Sequence, residues 1–388
     1  MTLTHTKEHD ELRSALRRLL GDKSPSAAVR RWMESGEGYD PTLWRQLAGQ
    51  LGLTGIAVPE EYGGSGGGAV ELGVVLEELG RALLPSPYFA TVALAGQALT
   101  ASGDAAAKAR WLPGIAAGEL TATVAVAEES GSWRIEDVAT TATRVDGESW
   151  TVSGTKMFVV DGDTAGLLLV VAGTDAGPGL FAVESGVPGV ARTPLDTLDP
   201  TRRQARIDLD EAPAVRVGPD GDATAYLRTA LDLAAVALAS EQVGGAQACL
   251  DAAVAYAKTR VQFERPIGSF QAVKHACADL LLAVEAARSA AHHAASVAAE
   301  ESAREPASSP AEEPAEEPAE LPTAAALAAA YCAGTYTHAA KQNIQIHGGI
   351  GYTWEHDAHL HLRRAKTSEQ LLGAPAAHRA RLADLVGI

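Results

Sequence analysis

The spacing of apolar residues predicts helices at both ends of the chain and strands between them. In the first part, Leu12, Leu16 and Leu19 form an apolar stripe at helical spacing, and residues 70–84 repeat this pattern. From about Thr121 the segments become short, β-branched and bounded by Gly, Asp and Pro, which is typical of strands. Helical spacing returns in the last part of the chain, including two unusually long helical patterns.

This order of patterns predicts three domains in an α+β architecture. We expect an N-terminal α-helical domain at residues 1–120 and a middle β-sandwich or β-barrel domain at residues 121–222. A C-terminal helical bundle is expected at residues 223–388. Within the middle domain, Asp146-Gly147 separates two alternating segments and predicts a hairpin turn.

Residues 300–322 interrupt the helical bundle with an acidic, proline-rich segment. Its repeated prolines exclude a continuous helix, and its composition is typical of a solvated loop. Long surface insertions add little to the entropy of loop closure, so a tolerated insertion is one interpretation. A functional acidic arm is the other.

Composition excludes several classes of function. The formal net charge is -17, which argues against nucleic-acid binding because that function needs a basic face. Cys249, Cys277 and Cys332 lack CxxC spacing, so we expect small buried hydrophobic residues and neither a metal site nor disulfides. The charged N-terminus does not resemble a signal peptide, and no long apolar run predicts a membrane span. We therefore expect a soluble cytoplasmic protein.

Candidate chemistry begins between the two long helical patterns, at RVQFERPIGSFQ, residues 260–271. Arg260 offers a forked cation that suits a diphosphate. Phe263 offers a ring face, and Gln271 offers an amide for a ribose or a base. The alternative is that this segment is only a charged helix end followed by a turn that contains proline.

A second candidate segment is QIHGGIGY, residues 345–352. Gly348 and Gly349 permit backbone angles and close approaches that other residues resist. A glycine turn that feeds a helix would present N–H groups to a phosphate-bearing ligand. An ordinary turn between helices is the alternative.

These segments together resemble the acyl-CoA dehydrogenase family, as do PEEYGGSGG at residues 59–67 and SGTKMFV at residues 153–159. The resemblance covers the whole chain. It implies a helical domain, a middle β domain and a C-terminal four-helix domain. It also implies an acyl-CoA substrate, FAD at a subunit interface, and an electron-transfer flavoprotein as electron acceptor.

The resemblance also implies site residues. Six of them would contact the diphosphate and adenosine of an FAD housed mainly by the neighbouring subunit: Arg260, Phe263, Gln271, Gln345, Gly348 and Gly349. In the middle domain Phe158 would cover the flavin ring, whereas Val160 replaces a hydroxyl residue of the family. Residues 127–132 lack several residues of the family's flavin-facing strand, and Glu264 stands where the family has glycine.

The catalytic base is the main departure from the family. Abstraction of the proton α to a thioester needs a carboxylate, which the family places at one of two positions. These positions correspond to Ala234 and Leu372 in this chain. Asp232 and Glu241 are weaker candidates because they lie near Ala234 or on a similar helix face.

Several interpretations of this departure remain. The chain resembles the base-lacking subunits of actinobacterial α2β2 acyl-CoA dehydrogenases that act on steroid side-chain CoA thioesters, in which the partner supplies the glutamate. A self-sufficient homotetramer with a relocated base is an alternative. A flavin oxidase and a scaffold subunit without flavin are further alternatives.

Overall fold

The structure is a computed structural model that describes residues 6–303 and 320–388. Most of the segment of residues 300–322, predicted to be an acidic loop, lies outside the described residues, so its role stays a prediction. Its described ends, residues 300–303 and 320–322, are helical, so the predicted bounds of the loop are wrong. The chain divides into two compact units. One comprises Met1–Arg30, Ala69–Leu84 and Ala235–Ile388, and the other comprises Arg31–Gly68 and Pro85–Ala234. The predicted boundaries of the three domains stay a prediction.

Helices dominate both ends of the described chain. The α-helices are α1 (Lys7–Lys23), α2 (Ser26–Met33), α3 (Pro41–Gly49), α4 (Ala69–Arg81), α5 (Gln97–Ala101), α6 (Ala105–Ala116), α7 (Thr224–Thr259), α8 (Gln271–Ala303), α9 (Glu320–His347), α10 (Ala358–Ser368) and α11 (Pro375–Leu385). A π-helix, Phe89–Gly96, leads into α5. The long helices α7 and α8 confirm the two long helical patterns. Among the helices of residues 6–303 and 320–388, none combines the length and apolar character needed to cross a bilayer.

The strands form one larger sheet and one short hairpin. They are β1 (Ala122–Ala125), β2 (Thr141–Asp146), β3 (Ser149–Val160), β4 (Leu167–Thr174), β5 (Gly177–Glu184), β6 (Val190–Pro194), β7 (Gln204–Val217), β8 (Val261–Gln262) and β9 (Arg265–Pro266). Strands β2 and β3 pair antiparallel across a turn in which Gly147 has φ +45°. The predicted hairpin is therefore confirmed.

The larger sheet closes on itself. Its strands pair in the order β1-β4-β2-β3-β7-β5, and β5 also pairs with β4. The ring of β4, β2, β3, β7 and β5 thus forms a barrel, which is one of the two forms, sandwich or barrel, that the sequence left open. The apolar face of each strand points inward, where Trp150 and Phe181 meet with ring centroids 5.1 Å apart.

The helical bundle depends on two glycines of α7. A Cβ atom at Gly244 would lie 1.8 Å from the backbone oxygen of Glu77 on α4. A Cβ atom at Gly245 would lie 2.3 Å from the ring of Tyr336 on α9. Side chains at these two positions would force α4 and α9 away from α7, so the spacing of the bundle requires glycine here.

A buried ion cluster joins α4 to α1 and α8. The carboxylate of Glu77 accepts a hydrogen bond from Arg13 Nη2 at 3.1 Å and another from Arg288. Burial raises the pKa of Glu77, but the hydrogen bond from His292 and the charges of Arg288 and Arg13 outweigh it and lower that pKa to about 2. Because charged groups from three helices meet at one carboxylate, this cluster links their packing to pH.

Two of the three cysteines are packed in the bundle. Cys249 and Cys332 are buried, and Cys332 Sγ donates a hydrogen bond to the Ala287 carbonyl at 3.3 Å. Burial raises the pKa of both thiols, to about 12 for Cys332. Both cysteines therefore occur as unreactive thiols in helix packing.

Candidate cofactor contacts and base positions

The two candidate motifs meet at one end of the helical bundle. Arg260 directly follows α7, and Gly348 directly follows α9. Near these helix ends, the Tyr256 ring stacks on the His347 ring with centroids 4.2 Å apart and an interplanar angle of 29°. The stack fixes the end of α7 against the end of α9. The structure therefore brings together two segments that lie more than 80 residues apart in the sequence.

Phe263 stands at the tip of the β8–β9 hairpin. Phe263 and Glu264 form the turn with φ values of +51° and +65°. Consecutive left-handed residues are typical of a type I′ turn, which favours glycine. Phe263 is 85% exposed, and its ring makes an edge contact with Phe270, with centroids 6.1 Å apart. The hairpin thus presents an aromatic side chain to the solvent at the cost of backbone strain.

Polar side chains of the predicted contact set remain available to a ligand. Arg260 and Gln345 are exposed, and neither side chain has a hydrogen-bond or ion-pair partner within residues 6–303 and 320–388. The Gln271 amide nitrogen lies 3.4 Å from His275 Nε2. A guanidinium and an amide are donors that suit a diphosphate and a polar nucleoside.

The glycine turn differs in one respect from the prediction. Gly348–Tyr352 forms a short 3₁₀ turn after α9, and the next helix, α10, begins only at Ala358. The turn therefore does not feed the N-terminus of α10, because the intervening residues 353–357 form an irregular segment. The expectation that the glycine turn feeds a helix and presents its N–H groups is therefore wrong, and the accessibility of the glycine backbone is the feature that remains.

The backbone of the glycine pair faces open space. A Cβ atom built at Gly348 or Gly349 would meet no atom within 4 Å, and Gly348 has φ +65°. By contrast, a Cβ atom at Gly351 would lie 3.0 Å from the Ile344 carbonyl oxygen. Packing explains glycine at position 351 but not at position 349. Open space over a glycine backbone fits the close approach of a diphosphate.

In the other unit, Phe158 is presented by an irregularity in β3. The pairing of β3 with β7 shifts between Lys156 and Val159, and Phe158 has φ +57° at this bulge. Its side chain is 38% exposed, whereas Val160 is buried. A bulge that turns a side chain outward is common beside functional sites. Phe158 is therefore accessible to a ligand, and the Val160 side chain is not.

Both expected base positions are occupied by buried aliphatic residues. Ala234 is fully buried, and Leu372 is 8% exposed with φ +64°. Beside Leu372, residues of α7 and α10, including Gln242 and Ser368, line a cavity of about 10 Å³. That volume holds about one water molecule. The cavity beside Leu372 is therefore too small for an acyl chain.

The two weaker base candidates are also buried. Glu241 on α7 pairs with Arg364 on α10, with Glu241 Oε1 and Arg364 Nη1 3.0 Å apart and both residues no more than 3% exposed. Asp232 is 2% exposed and is engaged in interactions of its own. Glu241 is therefore positioned as the counterion of a buried arginine.

Some site features were missed in the sequence. The sequence did contain a signal for the Glu241–Arg364 pair. Arg363-Arg364 stands where the family has Arg-Asp, and a second arginine at this position needs an acidic partner from elsewhere in the chain. The structure also contains an ion pair between Lys156 and Glu128, with Nζ and Oε1 2.8 Å apart. Its only trace in the sequence was Lys156 itself, the lysine of SGTKMFV.

Comparisons with known proteins identify one family over most of the chain. Residues 6–119, 123–210 and 223–386 match the family models for the N-terminal, middle and C-terminal domains of acyl-CoA dehydrogenases. The chain is 36% identical over 375 residues to acyl-CoA dehydrogenase IpdE2 of Mycobacterium tuberculosis, which covers 96% of this chain and 95% of that protein.

Two solved structures are similar along their whole length. A Tcur3481-Tcur3483 steroid ACAD variant has a TM-score of 0.86 and 34% identity, with 98% of each chain covered. The ChsE4-ChsE5 complex from Mycobacterium tuberculosis has a TM-score of 0.87 and 28% identity, with 100% of this chain and 99% of that chain covered. These similarities confirm the predicted fold class. The chain therefore belongs to the acyl-CoA dehydrogenase family, whose members are FAD flavoproteins and oxidoreductases acting on CH–CH groups.

Proposed function

We propose that this chain is the base-lacking subunit of a heteromeric FAD-dependent acyl-CoA dehydrogenase. The assembly desaturates the α,β bond of an acyl-CoA thioester, and a second acyl-CoA dehydrogenase-like subunit supplies the glutamate that takes the α-proton. One observation carries the proposal: buried Ala234 and Leu372 stand at both positions where the family has its glutamate. Neither side chain can accept a proton.

The two weaker base candidates, Glu241 and Asp232, are buried, which supports a base supplied by the second subunit. A general base needs to reach the proton it removes and to exist in a protonated form after the reaction. Protonating Glu241 would remove the negative charge that lies 3.0 Å from the buried Arg364 guanidinium, which is unfavourable. This argues against the alternative of a self-sufficient homo-oligomer with Glu241 as a relocated base.

The exposed residues at the end of the bundle fit FAD. Arg260 can pair with a diphosphate, the backbone at Gly348 and Gly349 can approach it closely, and Phe263 can cover an aromatic ring. When bound, FAD supplies the hydride acceptor of the family's reaction. These residues would contact the FAD of a neighbouring subunit. A chain without its own base would therefore still need them. They also argue against a scaffold subunit without a flavin role.

The similar proteins support a steroid-related substrate and a heteromer. One is described as a steroid ACAD, and the other is a complex of two named chains. For this chain we infer a CoA thioester of a steroid side chain as substrate, an α2β2 assembly, and an electron-transfer flavoprotein as electron acceptor.

The decisive test is co-expression with the acyl-CoA dehydrogenase-like chain encoded nearest to it, followed by a flavin count. We expect a colourless lone chain and one FAD per pair of different chains, with turnover only in the pair. One FAD per chain in an active homo-oligomer would refute the heteromer. A colourless, inactive pair would favour the scaffold.

The location of the base can be tested in the same assembly. Asp232→Asn and Glu241→Gln in this chain should keep kcat within about twofold of the wild-type assembly, measured per folded complex. A loss of kcat by several orders of magnitude in either variant, with flavin still bound, would identify a relocated base. Peroxide formation without an electron-transfer flavoprotein would indicate an oxidase instead.

A further inference from the structure

A ring stack of Tyr256, His347 and His356 connects the end of α7 to the segment that follows the glycine turn. The His347 ring lies 4.2 Å from the Tyr256 ring and 4.3 Å from the His356 ring, measured between centroids. His347 immediately precedes Gly348 in the sequence. The Tyr256 carbonyl accepts a hydrogen bond from the Arg260 N–H at 2.8 Å. The ring stack therefore adjoins both parts of the chain that carry the proposed FAD contacts.

Hydrogen bonds define which ring nitrogen of each histidine carries the proton. His347 Nδ1 lies 2.8 Å from the Asn343 carbonyl oxygen, so this nitrogen is protonated and donates. His356 Nδ1 accepts a hydrogen bond from the Ala358 N–H at 3.1 Å, so the proton of this ring is on Nε2. His356 is therefore neutral in this arrangement. Because Ala358 is the first residue of α10, the same bond joins the ring stack to the start of that helix.

Protonation of His356 is incompatible with this arrangement. An imidazolium has an N–H at both ring nitrogens, so Nδ1 would face the Ala358 N–H as a second donor and their bond would be lost. The Arg30 guanidinium adds repulsion, since its Nη2 donates to the His356 carbonyl at 3.0 Å. Asp357 opposes this repulsion, but Ser26 and Arg30 already donate to its carboxylate. Protonation therefore breaks the bond that holds the His356 ring in the stack.

The surroundings of His356 determine the pH range of this change. Burial, followed by the charges of His347 and Arg30, lowers the pKa of His356 from its ordinary value of 6.5. Asp357 acts in the opposite direction. The titratable or charged groups that interact with the ring stack come from α2, α7, α9, α10 and the segment before α10: Arg30, Tyr256, His347, Asp357, His359 and His361. Because the folded state binds the His356 proton less tightly than an open state does, the closed stack is favoured above about pH 6.5 and weakens as pH falls below that value.

We propose that His347 and His356 are positioning residues, whose neutral ring stack holds two FAD contacts at the spacing that one diphosphate needs. These contacts are the Arg260 guanidinium after α7 and the Gly348–Gly349 backbone after α9. Protonation of His356 opens the stack, so acid weakens FAD binding. The inference rests on the proposed function and concerns the single FAD that the neighbouring subunit houses. Both histidines act through the two contacts and not on the cofactor itself.

The first test measures amide hydrogen exchange of residues 348–357 in the lone chain, which needs no flavin. Between about pH 7.5 and about pH 5 the wild-type segment should lose protection at least about tenfold, after correction for the intrinsic pH dependence of exchange. In His356→Asn the side-chain oxygen can still accept from the Ala358 N–H but does not titrate, so protection should be independent of pH. His338→Asn is the matched control, since it removes an exposed histidine of α9 and should behave as wild type. Wild-type protection that does not change with pH would overturn the inference.

A second variant separates the ring of His356 from its hydrogen bond. His356→Phe keeps an aromatic ring but has no acceptor for the Ala358 N–H, so residues 348–357 should be weakly protected at both pH values. This variant also decides if His356→Asn does not fold. Protection in His356→Phe that falls with pH as it does in the wild type would show that another group titrates, and the inference would fail.

Titration of the assembly with FAD tests the link to the cofactor. The apparent Kd of the wild-type assembly should rise at least about tenfold between about pH 7.5 and about pH 5, because only chains with a closed stack bind tightly. In His356→Asn the rise should be less than about twofold. A rise of equal size in both assemblies would overturn the positioning role. Failure of the wild-type assembly to bind FAD at either pH would refute the proposed function and the assignment of the stack to FAD, but it would leave the exchange result standing.

Discussion

Arg364 on α10 donates a hydrogen bond to Glu241 on α7 across 3.0 Å, and both side chains are buried. This pair explains one departure from the family. The second arginine of Arg363-Arg364 replaces an acidic residue, and Glu241 provides the negative charge that this arginine needs. A carboxylate that could be mistaken for a displaced base is thus part of the packing of the bundle.

Breaking this pair should reduce stability strongly. We expect Arg364→Leu to lower the free energy of unfolding by about 3–5 kcal/mol in urea titrations, because the buried Glu241 carboxylate loses the guanidinium that faces it at 3.0 Å. The double variant Arg364→Leu/Glu241→Leu should recover most of that loss, since two apolar side chains need no counter-charge. A single variant as stable as wild type would contradict a buried ion pair.

Restoring a carboxylate at position 372 should reveal how apolar that position is. Leu372→Glu should be less stable than Leu372→Gln by about 2 kcal/mol at pH 7, because burial disfavours the charged form and raises the pKa of the new carboxyl. The folded state then binds protons more tightly than the unfolded state. The difference should therefore shrink as pH falls toward 5. A difference that is independent of pH would contradict the burial of this side chain.

Glu264 combines backbone strain with a negative charge at the hairpin tip, and three variants separate these effects. Glu264→Gly should stabilise the chain by up to about 1 kcal/mol, because φ +65° costs a residue with a Cβ atom more than glycine. Glu264→Ala keeps the strain and should not stabilise it. If FAD binds here, Glu264→Gln should tighten binding by removing repulsion from the diphosphate, as titration of the assembly would show.

Gly349 should matter to a ligand and not to the fold. Gly349→Ala should leave the free energy of unfolding within about 0.5 kcal/mol of wild type, because its Cβ atom would enter open space. The proposed function predicts weaker FAD binding by the assembly. Gly351→Ala is the control, since its Cβ atom would crowd the Ile344 carbonyl and destabilise the lone chain. Unchanged FAD affinity in Gly349→Ala would remove this residue from the site.

The Glu77 cluster predicts a specific acid dependence. The folded-state pKa of Glu77 is about 2, below the ordinary value of 4.5. Its contribution to the free energy of unfolding is therefore present above about pH 4.5 and is lost as pH falls toward 2. The full difference corresponds to about 3 kcal/mol. Glu77→Gln should therefore lose stability less steeply than wild type between pH 5 and about 2.5. Glu11→Gln, which removes an exposed carboxylate paired with Lys7, should follow the wild-type slope.

Elements set by local patterns could be predicted from the sequence. Apolar periodicity predicts α7 and α8, and Asp146-Gly147 predicts the β2–β3 hairpin, because each depends on neighbouring residues. The resemblance indicated that Ala234 and Leu372 occupy the two positions of the family's base. Both are buried aliphatic residues in the structure. Whether the proposed contact residues bind FAD stays a prediction.

Features that depend on distant residues could not be predicted. Glu241 meets Arg364 only after α10 folds back on α7, and the stack of Tyr256 on His347 likewise needs two helix ends to meet. The positive φ of Phe158 follows from a shift in pairing with β7. Neither tertiary pairing nor a bulge has a reliable local pattern, since tertiary contacts override local preference.

The close packing at Gly244 and Gly245 gives another meaning to the alanine-rich composition of this chain. Much of the bundle core consists of alanine beside these two glycines, and helices that approach so closely exclude larger side chains. Codon bias in a GC-rich genome would also favour alanine and glycine, but it would do so at every position. Relatives from AT-rich genomes should therefore lose alanine on the helix surfaces and retain both glycines of α7.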